Sequence, residues 1–179
     1  MNRLKSKIVL SAFLATSLLA ACSAGESNKE TSQQEDVNVK DLVQEYSSVK
    51  MEDQSASITS TELIIKDENG KETAYDLTGE DFFVSIAPYV NETHPWTNHS
   101  LTGCQGELAE EEFDVYIEDH EGNVVLDETI ETQSNGFFDL WLPRDKTYQI
   151  KIENEGKIVE SEISTFEKDG TCITTMQLM

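Results

Sequence analysis

Basic side chains are scarce in this chain: 13 lysines and arginines stand against 35 aspartates and glutamates, a formal charge of −22. That balance excludes nucleic acid as a partner, because a surface without a basic patch cannot displace phosphate counterions. Charge alone would also hold the chain away from an anionic membrane surface. The familiar enzyme signatures are missing as well: there is no Gly-x-Ser-x-Gly, no phosphate loop, no Cys-x-x-Cys and no His-Glu-x-x-His. The apolar run "IVLSAFLATSLLA" falls short of the roughly 20 residues that a spanning helix needs. Cysteine and histidine are sparse, at three each, so where they fall carries weight.

The apolar run belongs to a targeting segment. Arg3, Lys5 and Lys7 precede it, small residues follow it, and it ends in "LAAC". Leu19-Ala20-Ala21 before a cysteine matches a bacterial lipoprotein signal, which predicts cleavage after residue 21 and acylation of Cys22. Cys22 is thus read as a lipid anchor, and the protein as one that works outside the cytoplasm at the cell membrane. Loss of residues 1–21 leaves 10 basic against 35 acidic side chains, a mature charge of −25. Attachment then rests on lipid, and the acidic surface suits solubility. Residues 22–38, including "SAGESNKETSQQEDVN", have almost no apolar content and read as a flexible tether.

Two periodicities follow. In "VKDLVQEYSSV", Val39, Leu42, Val43 and Tyr46 fall at the i, i+3, i+4, i+7 spacing of one helical face. So short a helix must bury its stripe against the domain or against the same helix of a second copy. From Ser57 onward the period is two. "TELIIKDENGKETAYDL" reads as a hairpin turning at Asp67 to Gly70, and "EDFFVSIAPYV" as a largely buried strand. "EEFDVYIEDHEGNVVLDETIE" and "GFFDLWLPRDKTYQIKIENEGKIVESEIST" repeat the pattern, with His120 a solvated turn residue. The prediction is a mainly β chain with a short N-terminal helix and a β-sandwich in its C-terminal part. Gly136 to Lys157 resembles prealbumin-like sandwich modules, a likeness of fold only. The division is a helix with strands over 39–90, a candidate dimerisation region, and a sandwich domain over 91–179.

Between the strands lies "HPWTNHSLTGC", residues 94–104, with two imidazoles, an indole and a thiol bounded by the breakers Pro95 and Gly103. It is expected to be a long loop. His94 and His99 are five apart, so in a strand they would face opposite ways, and only a curled loop lets both meet one ligand. With Cys22 acylated, Cys104 and Cys172 remain in a compartment where disulfides persist. A bridge closing so long a loop is worth about 4 kcal/mol in the chain-entropy model, and on these grounds a structural disulfide is the favoured reading. Met176, four residues beyond Cys172, is about 13 Å away along a strand and is assigned to the core. Imidazole and thiolate together suit copper or zinc over magnesium or calcium.

The blocks "FFVSIAPYVNETHPWTNHSLTGCQGEL", "NGFFDLWLPRDKTYQIKI" and "STFEKDGTCITTMQL" resemble the CueP-like copper-binding proteins of the bacterial cell envelope. The likeness runs from about Phe82 to the end. It implies a copper-resistance protein that binds copper ions outside the cytoplasm and reduces Cu(II) to Cu(I). On that comparison the redox-active pair falls on Cys104 and Cys172, with His94 and His99 as candidate metal ligands beside them. Many relatives carry a further cysteine after the His-Pro pair, where this chain has Trp96, so the histidines or the indole would complete the coordination. The resemblance also implies a homodimer through the N-terminal region. The competing reading is a structural or adhesive β-module whose two cysteines form an inert staple.

Overall fold

The computed structural model describes residues 30–31, 37–48 and 53–179. The signal segment and Cys22 lie outside the described residues, as does most of the tether. Within the tether, strand β1 (Glu30–Thr31) runs parallel to strand β4 (Glu72–Asp76).

Helix α1 (Val39–Ser48) begins where Asn38 caps it, its side-chain oxygen accepting the N–H of Lys40 at 3.1 Å and of Asp41 at 3.4 Å. Its apolar stripe is covered by the chain itself: Val43 and Tyr46 pack with Ala56, Ile58, Leu63, Leu77, Phe83 and Leu101. Strands β2 (Ser55–Ile58), β3 (Glu62–Lys66), β4 (Glu72–Asp76) and β6 (His99–Ser100) form the sheet beneath, in the order β1-β4-β3-β2-β6. The β3–β4 turn is held by Asp67, whose carboxylate accepts the N–H of Asn69 and of Lys71, each at 2.9 Å.

Strands β7 (Glu112–Asp119), β8 (Val124–Glu131), β10 (Thr147–Asn154) and β11 (Lys157–Ser164) build an antiparallel sheet ordered β11-β10-β7-β8. Its alternation is regular. Phe113, Val115 and Ile117 of β7 and Tyr148, Ile150 and Ile152 of β10 point inward, each contributing about 1.5–3 kcal/mol by leaving water. His120 stands exposed in the β7–β8 turn. Met176 is fully buried in the same core, beyond the end of the C-terminal strand.

A third sheet links the other two. Strand β5 (Phe82–Ile86) lies between β9 (Phe138–Leu142), antiparallel, and β12 (Cys172–Ile173), parallel. All five β5 residues are buried, and the strand's period of two divides them. Phe82, Val84 and Ile86 enter the large core, whereas Phe83 joins the cluster under α1. The architecture is mainly β and sandwich-like with one short helix among the described residues. Ser85, on the Phe83 face, is the one polar side chain in "FFVSI".

Candidate metal centre

The pairing of the third sheet lines up a row of side chains. Ser85 is opposite Asp139 of β9 and beside Cys172 of β12. Directly paired residues share a face of a sheet, so Cys172, Ser85 and Asp139 lie side by side on the face turned from the large core. Over this row packs β6, which brings His99.

Backbone contacts fix the C-terminal strand there. The N–H of Cys172 donates to the carbonyl of Thr97 at 3.1 Å, and that of Ser85 to the carbonyl of Thr171 at 2.8 Å. The Thr171 hydroxyl, fully buried, donates to the carbonyl of Ile58 at 2.7 Å and accepts the N–H of His99 at 2.9 Å. Gly170 makes the approach possible, since a Cβ there would come within 2.5 Å of the Thr97 carbonyl oxygen.

Cys104 closes a turn that starts at Ser100. Its N–H donates to the Ser100 carbonyl at 3.0 Å, and the Ser100 N–H donates back to Cys104 Sγ at 3.3 Å. His94 comes from the preceding loop, which Glu107 organises: its carboxylate accepts the N–H groups of Val90, Asn91 and Glu92 and the Asn91 amide. These bonds, chiefly those from Asn91, hold the Glu107 carboxyl down to about 2. Thr93 ties the loop to the tail through its hydroxyl and the carbonyl of Thr174, 2.7 Å apart.

The result is a group of three donors. One ring nitrogen of His94 and the sulfurs of Cys104 and Cys172 lie within 4.8 Å of one another, a spread that one ion bonding at about 2.0–2.3 Å spans with side-chain adjustment. His94 Nε2 is buried and has no hydrogen-bond partner. An uncompensated buried nitrogen is costly in a purely structural setting. One nitrogen and two sulfurs form a soft set that fits copper.

The cysteines depart from the favoured sequence reading of a structural disulfide, for both are free thiols in contact with each other. Their ionisations are split apart. Cys104 is held far below the usual thiol range, by the hydrogen bond from Cys172 first, then by His99 and the Ser100 N–H, against the opposing effect of burial. Cys172 is pushed up, because it donates that hydrogen bond, is buried and faces the Cys104 charge. The pair therefore loses one proton readily and the second only with difficulty, so long as no cation displaces it.

His99 has a different position from His94. The expected loop is interrupted by β6, and His99 is fully buried with its ring 4.6 Å from that of Phe137. It sits against Cys104 and outside the three-donor group. Its Nε2 is 3.3 Å from Ser85 Oγ, while Nδ1 has no hydrogen-bond partner. Trp96 is half exposed and meets the His94 ring edge-on at 5.5 Å. Ser85, Asp139, Thr171 and Glu107 were not singled out from sequence. A lone serine within an otherwise apolar strand was the available signal for the first.

Comparison with known proteins agrees with this chemistry. The family described as "Periplasmic copper-binding protein CueP" matches residues 38–177. A solved structure described as "Crystal Structure of S.CueP" is 35% identical with a TM-score of 0.74, over 79% of this chain and 88% of that one. No curated protein sequence matches.

Proposed function

The chain belongs to the CueP family of periplasmic copper-binding proteins, and from that premise we propose that it captures copper at His94, Cys104 and Cys172 and reduces Cu(II) to Cu(I) with the two thiols, in the service of copper resistance. The protein is copper-binding and extracytoplasmic. The lipid on Cys22 is inferred from the "LAAC" signal, and the acyl chain would keep this strongly acidic domain at the cell membrane.

The observation that carries the reading is an unpartnered buried His94 Nε2 beside two free thiols. Burial of both sulfurs next to Ala87 and Phe137 would equally suit an inert staple, but a staple has no use for the imidazole. The electrons balance: two Cu(II) each take one electron, Cys104 and Cys172 give up two and join as a disulfide, and two protons leave. A thiol reductant must then reopen the bond before another cycle.

Mixing the reduced domain with excess Cu(II) and a chromogenic Cu(I) chelator should yield two Cu(I) per domain with loss of both thiols. Cys172→Ser should remove the paired reaction. A full Cu(I) yield from that variant would refute the paired-thiol mechanism. Anchoring is tested separately: Cys22→Ala should move the protein from the membrane to the soluble fraction, and an unchanged distribution would remove the lipid.

A further inference from the structure

The hydrogen bonds behind the thiols can be assigned by counting donors. Asp139 receives Ser85 Oγ at 2.6 Å on Oδ1, and Ser47 Oγ at 2.7 Å and Gln133 Nε2 at 3.1 Å on Oδ2. A carboxylate only accepts, so the Ser85 hydroxyl proton is committed to Asp139. A hydroxyl has no second proton. The contact between Ser85 Oγ and His99 Nε2 must then run the other way, with the ring N–H donating, which in the neutral imidazole leaves Nδ1 bare. That bare nitrogen is buried with no hydrogen-bond partner, and it belongs to the ring that lies against Cys104.

We infer that Asp139, acting through Ser85, is a positioning residue that locks His99 in the tautomer with Nε2–H and a bare Nδ1. A bare Nδ1, on a ring that lies against Cys104, is free to support a metal bound to that sulfur; an N–H in its place could not. The geometry also makes helix α1 part of the site, since Ser47 at its C-terminal end holds the second carboxylate oxygen. The tautomer follows from the hydrogen bonds alone, while its use in copper capture rests on the function proposed above.

The test is nitrogen-15 NMR of the imidazoles in metal-free, reduced protein, where two-bond couplings distinguish the tautomers. Wild type should give the Nε2–H form for His99. Asp139→Asn keeps the shape, and with its oxygen kept by Ser47 and Gln133 it turns an NH2 toward Ser85. The serine must then accept from the amide and donate to Nε2, which moves the His99 proton to Nδ1. Ser85→Ala should give a mixture. An Nδ1–H ring in wild type, or an unchanged Nε2–H ring in Asp139→Asn, would overturn the assignment. In parallel, Asp139→Asn should bind Cu(I) about 10–100-fold more weakly, the usual effect of losing a partner that orients a ligand. Equal affinity with the tautomer reversed would overturn its role in the site. A wild type that binds no copper would count against the proposed function and leave the tautomer result standing.

Discussion

The two ends of this molecule are built by opposite means. The β11-β10-β7-β8 sheet consists of eight-residue strands arranged as two hairpins, β7–β8 and β10–β11, joined by the regular pairing of β7 with β10. The metal corner uses two-residue strands, β6 and β12, and bonds between residues far apart, such as Thr171 to Ile58 and Ser85 to Asp139. The sheet stores stability in apolar area. The corner holds polar atoms in fixed places and leaves two ring nitrogens unsatisfied. Stability and copper chemistry should therefore respond to different mutations.

The largest separation is expected from a pair of alanine substitutions. Ile150→Ala, at a buried β10 position, should cost about 2–5 kcal/mol in denaturant unfolding and leave copper bound per folded molecule unchanged. His94→Ala, on the loop, should change stability by less than about 0.5 kcal/mol and weaken Cu(II) binding at least tenfold. Loss of copper binding by folded Ile150→Ala would break the division. His99→Ala is not equivalent, because a fully buried ring packed on Phe137 is removed and both properties should fall.

The same division decides what could be read from sequence. Hairpins are local, so alternation in "EFDVYIED" and "TYQIKIEN" was enough to place β7 and β10, and the three- and four-residue spacing of Val39, Leu42, Val43 and Tyr46 located α1. His94, Cys104 and Cys172 stood out because their residue types are rare here and can bind metal. The partition between His94 and His99 was not legible, since β6 exists only because β2 lies beside it. Asp139 and Ser85 were hidden for a similar reason: a cross-strand row depends on which strands pair, and no spacing along the chain records that.

Gly170→Ala probes how tightly the corner is drawn. The new Cβ would meet a backbone oxygen at 2.5 Å, which cannot rotate away, so the tail must shift off Thr97. Overpacking of this kind costs about 1–3 kcal/mol, and Cys172, two residues on, should move with it. Stability and Cu(I) affinity should fall together. A stable variant with normal affinity would mean that the tail need not be held where it is.

Acid should release the His94 loop before the sheet responds. The Glu107 carboxyl is near 2 in the folded chain and 4.5 when free, so its contribution is complete above about pH 4.5 and is lost as the pH falls toward 2. Over that window the amides of Val90, Asn91 and Glu92 should lose protection from hydrogen exchange while those of β10 keep theirs. Glu107→Gln should show the loosened loop already at neutral pH. Equal loss in loop and sheet would mean that the loop has no separate anchor.

The finest test follows light emission and leaves stability untouched. Trp96 touches the His94 ring at 5.5 Å, whereas Trp141 contacts Phe83 at 5.2 Å, and Phe83 in turn is 6.2 Å from His99. Trp141 is thus one aromatic ring removed from His99, which lies outside the three-donor group. Paramagnetic Cu(II) quenches an indole more strongly at shorter range, so the first equivalent should quench Trp141→Phe more than Trp96→Phe. The difference should vanish in His94→Ala, which removes the ligand that brings copper beside Trp96. If Trp96→Phe is quenched as fully as Trp141→Phe, copper is bound nearer the Phe83 side of the corner, and His99 would take the place assigned here to His94.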